Sequence, residues 1–237
     1  MPDHPLSPGG ETFALLDTSV LLPPRLSDVL FDLAGQKLFH PRWSAKIENE
    51  FLDNWADVVT PKPALPQAVT GRVQVYPQGK KDGALHRLNC FKAAAGREHQ
   101  VPGYDAQDVL SKVPPGVHRG DRHLVAAALV LRDALAAEGE TEGTRAKVVL
   151  VSANTRHLAV KDTEKLGVDV MTPGEFIDTF LTIAKSRVEK ALKKAMADLT
   201  NPPYTKEQLL AALRLHGANE TAAHFAKEWK VKMYATR

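Results

Sequence analysis

The sequence predicts an α/β protein with a central parallel sheet and a small helical region at its C-terminal end. Three short runs carry the sheet: residues 13–16 (FALL), 147–152 (KVVLVS) and 168–171 (VDVM), each followed by polar residues. The first two are apolar on both faces, as strands covered by helices on both sides are. Helical spacing fills the intervals, and strands that alternate with helices pair in parallel.

A chain of 237 residues suffices for one good-sized domain with an appendage. Its 43% hydrophobic and 25% charged content is that of a soluble globular protein. The longest apolar run, residues 124–131, falls well short of the roughly 18 residues of a membrane span. The first twelve residues, MPDHPLSPGGET, hold no apolar export segment. The expectation is a cytoplasmic protein with no membrane contact. Cys90 is the single cysteine, which excludes an internal disulfide and a cysteine-based zinc cluster. Residues 183–237 carry eleven Lys or Arg against five Asp or Glu, a net +6, while residues 1–182 carry 20 against 23, a net −3. An acidic body with a basic appendage suits a polyanionic partner.

Asp17 closes the first strand, where open α/β sheets bind ligands, and Thr18 and Ser19 follow it. Pro23-Pro24 then turns the chain. Ser27 is placed to cap a helix to about Gln36, with Leu26 and Phe31 as a hydrophobic staple. Ser44 is placed to cap a second helix, in which Ile47, Phe51, Trp55, Val58 and Val59 recur at helical spacing up to Pro61. Glu48 and Glu50 flank that stripe, Glu50 about 60° from Ile47 around the helix.

Prolines punctuate residues 61–118, where a strand is expected over 72–76 and helices near 83–95 and 104–112. Lys80, Lys81, Arg87, Lys92 and Arg97 in this stretch could line an RNA path. Leu124, Ala128, Leu131 and Leu135 mark an amphipathic helix with Asp121 at its start, and residues 138–146 read as a loop. Ala153-Asn154-Thr155-Arg156-His157 ends the next strand. Thr172-Pro173-Gly174-Glu175 forms a capping box with proline at the first helical position. A basic helix then runs to about Leu199. Thr205 with Gln208 opens another helix, Gly217 ends it, and Asn219 is placed to cap a last one to about Lys232.

Asp17 and Asn154 thus close two strands, Glu50 lies on an early helix and Asp121 begins a later one. Carboxylates converging without Cys or His ligands suit Mg²⁺ or Mn²⁺. Such an ion can acidify and orient a water for in-line attack on phosphorus.

At these residues the chain resembles the PIN-domain family, in particular VapC-type toxin ribonucleases. The matching pieces are LLDTSVLL, IENEF, GDRHLVAAAL, and VSANTRHL followed by the TPGEF helix, and in that order they cover most of residues 13–182. NPPYTKEQLLAAL is similar to the C-terminal helical extension of a longer VapC-like subgroup. The resemblance implies a three-layer α/β/α nuclease domain over residues 1–182 and a basic helical subdomain over 183–237. It also implies a metal-dependent endoribonuclease, usually dimeric, held inactive by a VapB-type antitoxin. Asp17, Glu50 and Asp121 take the family's acidic, metal-holding positions, with Glu50 favoured over Glu48 because it immediately precedes Phe51. Asn154 completes the catalytic set, and Thr18, Ser19, Arg156 and His157 are candidates for substrate contact. One departure stands out: the family's fourth acid falls at the position of Asn154 or of His157, and neither is acidic here.

Two other enzymes fit less well. An aspartic protease needs an all-β frame, and a haloacid-dehalogenase-like phosphatase needs an Asp where Ser19 stands. The rival from a different class is a degenerate PIN module that binds RNA or a protein without cutting.

Overall fold

The computed structural model describes residues 11–59, 78–142, 146–198 and 204–232. The strand expected over 72–76 lies outside them. In chain order the elements are β1 (Thr12–Leu16), α1 (Thr18–Leu21), α2 (Pro24–Gly35), β2 (His40–Arg42), α3 (Ala45–Val59), α4 (Gln78–Ala95), α5 (Gln107–Lys112), α6 (Arg122–Glu142), β3 (Lys147–Val151), α7 (Val160–Glu164), β4 (Asp169–Met171), α8 (Pro173–Ala197), α9 (Lys206–Leu215) and α10 (Asn219–Glu228). Single 3₁₀ turns occupy Arg97–His99, Arg119–Asp121 and Thr155–His157.

The four strands form one sheet in the order β2-β1-β3-β4, and every pairing is parallel. Phe13, Ala14, Leu15 and Leu16 are all buried, as are Val148 to Val151. Successive strand side chains point to opposite faces, so burial of every residue means that both faces are covered. The α/β class, the parallel sheet between helices and the C-terminal helical region are therefore as the sequence predicts.

The strand order fixes the position of the site. From β1 the chain steps to β2 on one side, while β3 lies on the other side of β1. The switch in direction falls between β1 and β3, the position where open α/β sheets bind ligands beyond their carboxyl ends. Leu16 pairs with Val151, so Asp17 and Ser152 leave the sheet side by side at that point.

Four local details differ from expectation. Helix α2 starts at Pro24, because proline at the first helical position is already set to helical φ. Ser27 lies inside it, donating to the Pro23 and Pro24 carbonyls at 3.0 and 3.1 Å. The short strand β2 holds Pro41 and pairs with β1 alone, an edge position that tolerates the missing N–H. The stretch expected to loop from 138 is helical to Glu142, in keeping with its three glutamates. Finally, α10 is capped from outside: the Asp178 carboxylate accepts from Glu220 N at 3.1 Å and Thr221 N at 2.8 Å.

Both expected capping boxes, Thr172 with Glu175 and Thr205 with Gln208, are formed. Helix α8 runs through residue 182 with a break at Ala184, and its buried residues lie on both sides of that break, Phe176 and Phe180 before it and Val188 and Leu192 after. The turn before α10 rests on its start: a Cβ on Gly174 would stand 2.1 Å from the Gly217 carbonyl carbon, so only glycine fits. Among the described residues no helix is long and apolar enough to cross a membrane.

Candidate active site

Asp17 caps α1 with extended backbone, and its own N–H donates to Val151 O at 3.0 Å, which pins it to the end of β3. The residue is buried, and its carboxylate is held by two hydroxyls. Ser19 Oγ donates to Asp17 Oδ2 at 2.6 Å and Ser152 Oγ donates to the same oxygen at 2.7 Å. Thr18, between them, points the other way: its Oγ1 donates to Glu50 Oε2 at 2.9 Å. Asp17 and Glu50 are thus joined through one residue.

Glu50 sits on α3, which Ser44 caps by accepting from Ile47 N at 3.4 Å. Its second oxygen lies 3.2 Å from Nε2 of His123, a buried residue in the first turn of α6. Burial would raise the Glu50 carboxyl, but the His123 hydrogen bond and charge, the Thr18 hydroxyl and Lys46 together outweigh it and hold it below the ordinary glutamate value. Glu48 has a different fate. It accepts from Trp43 Nε1 at 2.9 Å and from Lys92 Nζ at 2.7 Å, which makes it a tie between β2, α3 and α4.

The loop after β3 extends the network. Ala153 N donates to Ser19 Oγ at 3.1 Å, and Asn154 N donates to Ser152 Oγ at 3.0 Å. Arg156 Nε donates to Asn154 Oδ1 at 3.0 Å, while Asn154 Nδ2 lies 2.8 Å from His157 Nδ1. His157 then reaches the fourth position, its Nδ1 standing 3.3 Å from Asp121 Oδ2. Asp121 ends the 3₁₀ turn before α6, and His118 at the start of that turn puts Nδ1 at 3.6 Å from the same oxygen.

Asp17, Glu50, Asp121 and Asn154, which the sequence singled out from four separate elements, are therefore linked through side chains and backbone in one run with Thr18, Ser19, Arg156 and His157. Asp17 and Glu50 nevertheless stand outside the group of ligand atoms that converges at Asp121. Among the described residues, the metal-ligating atoms that converge to within 4.8 Å of one another belong to His118, Asp121 and His157. Asp121 Oδ2 is buried and has no hydrogen-bond partner, a state that costs about 1–3 kcal/mol unless something completes it. That unpaired acceptor fits a cation.

Sequence reasoning passed over His118, His123 and Ser152. His118 and His123 flank Asp121 at three and two residues, a local signal that was available. Ser152 carried none, because a serine closing an apolar strand is common.

With this geometry in hand, comparison with known proteins adds one finding. Residues 173–227 match the family model described as the VapC50 C-terminal domain. That match supports a VapC-type relationship. It covers α8, α9 and α10 and leaves outside it the sheet that carries Asp17. No curated protein and no solved structure gives a match.

Proposed function

We propose that the chain is a metal-dependent endoribonuclease of VapC type, the toxin of a VapBC-type pair. The observation that supports this reading best is the pairing of Asp17 and Ser152 at the switch point of a parallel sheet, with Glu50 and Asp121 tied to them through Thr18, Asn154 and His157. The C-terminal match points to the same family.

In this reading Asp17, Glu50 and Asp121 hold a divalent cation, Mg²⁺ or Mn²⁺. When bound, the cation supplies acidification of a water and charge neutralisation at the phosphodiester. The chain supplies the rest. Ser19 and Ser152 both donate to Oδ2 of Asp17, which orients the carboxylate. Thr18 and His123 hold Glu50 ionised, so that it can accept a proton contact from an attacking water without first losing its own proton. Arg156, anchored on Asn154, stands ready to pair with a substrate phosphate.

Residues 1–182 form the nuclease domain in this proposal and residues 183–237 a basic region for substrate or partner. Part of that basic charge is already engaged: Lys185 pairs with Glu228, Lys193 with Glu189 and Lys194 with Asp32. A VapB-type antitoxin, a homodimer and a cytoplasmic setting complete the reading.

The test is cleavage of labelled structured RNAs by the full chain with Mg²⁺, with Mn²⁺ and with EDTA, beside Asp17→Asn. Metal-dependent cleavage lost in the variant supports the proposal, and no cleavage under any condition overturns it. The second reading, a module that binds RNA or a protein without cutting, is favoured by the lack of an acid at either Asn154 or His157. It predicts RNA retention with intact product.

A further inference from the structure

We propose that His118, Asp121 and His157 form a mixed nitrogen and oxygen site that selects a transition-metal cation such as Zn²⁺ or Co²⁺ over Mg²⁺. The inference rests on the reading of Asp121 as a metal ligand and stands apart from ribonuclease activity itself.

Convergence carries the argument: one ligand atom each from His118, Asp121 and His157 lies within 4.8 Å of the other two. Arg156 Nε has only a hydrogen to offer, so the Asn154 atom 3.0 Å away is the amide oxygen. The amide nitrogen therefore faces His157 Nδ1 at 2.8 Å, and as that nitrogen is purely a donor, His157 Nδ1 accepts. An accepting Nδ1 carries a lone pair and no proton. The same holds at His118, whose Nδ1 accepts from the backbone N–H of Gly120 at 3.3 Å.

Both nitrogens, whose single lone pairs those N–H groups occupy, also stand beside one carboxylate oxygen. Asp121 Oδ2 lies 3.3 Å from His157 Nδ1 and 3.6 Å from His118 Nδ1, is buried, and receives no hydrogen bond. Of the three ligand atoms Asp121 Oδ2 is the one that no donor satisfies. A cation at their centre completes it and takes the imidazole lone pairs that Asn154 Nδ2–H and Gly120 N–H hold in its absence.

The spacing suits such an ion. Ligands held at about 2.0–2.1 Å on a tetrahedral Zn²⁺ stand about 3.3–3.4 Å apart, close to the two separations from Asp121 Oδ2. The backbone is preset, because His118 N donates to His157 O at 2.9 Å and locks the two histidine segments together. The histidine rings lie 5.0 Å apart between centroids. With His118 exposed and Asp121 and His157 half-buried, a coordination position stays open to water or phosphate.

Chemistry then sets the preference. Mg²⁺ seeks oxygen ligands and gives up its waters reluctantly, whereas imidazole nitrogen binds the later first-row ions more strongly. Of the two positions at which the PIN resemblance expects a fourth acid, one holds an amide and the other an imidazole here, and that imidazole moves the site from hard to borderline.

Calorimetry on the metal-free full chain, without RNA, tests this with Zn²⁺, Co²⁺ and Mg²⁺. Zn²⁺ and Co²⁺ should bind at least about tenfold tighter than Mg²⁺, and His157→Ala and His118→Ala should each weaken Zn²⁺ by at least about tenfold. Co²⁺ absorption bands and shifted histidine ring resonances in the wild-type chain give a second readout, needed if a variant fails to fold. Equal affinity for Mg²⁺ and Zn²⁺, or histidine resonances that ignore Co²⁺, overturns the site. Tight, histidine-dependent Zn²⁺ binding without RNA cleavage keeps the site and removes the ribonuclease reading. Cleavage supported equally by Mg²⁺ in both histidine variants, with no Zn²⁺ preference, does the reverse.

Discussion

Asp17 and Glu50 receive hydrogen bonds from Ser19, Ser152, Thr18 and His123, whereas Asp121 stands beside two imidazole nitrogens that are themselves receiving them. The two ends of one site thus settle their carboxylates differently. At the first end, donors from the chain stabilise the ionised acids and fix their orientation. At the second end both imidazole nitrogens are met by N–H donors while Asp121 Oδ2 is left without one, and that oxygen is the atom a cation would complete. The first end should accordingly be organised before any metal arrives, and the second should depend on it.

The largest effect expected is at Asp17. Asp17→Asn keeps an oxygen for Ser19 and Ser152 but removes the charge, so the fold should survive while RNA cleavage falls by at least about a hundredfold, more than loss of a ligand's supporting contact costs. Gel-resolved initial rates beside melting curves measure both. Cleavage at the wild-type rate would remove Asp17 from the machinery.

Next comes the link between the acids. Thr18→Val deletes the hydroxyl that holds Glu50 Oε2 and leaves a similar volume, so kcat should fall about tenfold, as it does when a carboxylate loses its supporting hydrogen bond. An unchanged kcat would mean that Glu50 is positioned by His123 alone.

A smaller change tests the second end. His157→Asp replaces an accepting nitrogen beside Asp121 with a charge. At an effective dielectric of about 20 a carboxylate some 4 Å from a divalent ion gains several kcal/mol before desolvation and repulsion are subtracted, leaving on the order of 1 kcal/mol, a several-fold gain in Mg²⁺ affinity. Asn154→Asp should gain less, because both ends of that amide are engaged, one with Arg156 and one with His157. Calorimetry on both variants ranks them, and the reverse order would mean that Asn154 faces the ion directly.

How much of this was legible beforehand follows from the range of each interaction. The sheet was readable because β1 and β3 are buried on both faces and so are written as unbroken apolar runs. β2 was not, since three residues with a proline carry no period. The choice of Glu50 over Glu48 came from the resemblance, and what distinguishes the two physically appears only in three dimensions: Glu48 is engaged by nearby Trp43 and by Lys92, 44 positions along the chain. His118 and His157 illustrate the same limit. They lie 39 positions apart in the sequence and meet because the turn before α6 hydrogen-bonds to the loop after β3.

The smallest effect expected separates the two ends without any metal. Because its surroundings hold Glu50 below its ordinary value, its contribution to stability is fully present above the unfolded-state pKa, about 4.3. It is lost as pH falls through the lower folded value. Glu50→Gln removes that dependence. The pair is partly open to solvent, so its worth is that of a screened contact, below about 1 kcal/mol, or about 1–2 °C in a chain of this size. In EDTA the variant should melt that much below wild type at neutral pH, and the gap should close as pH falls below the ordinary glutamate range and the wild-type carboxylate also loses its charge. If the two melting curves stay parallel across that range, the donors around Glu50 are not stabilising its charge, and the two ends of the site do not differ in the way their contacts indicate.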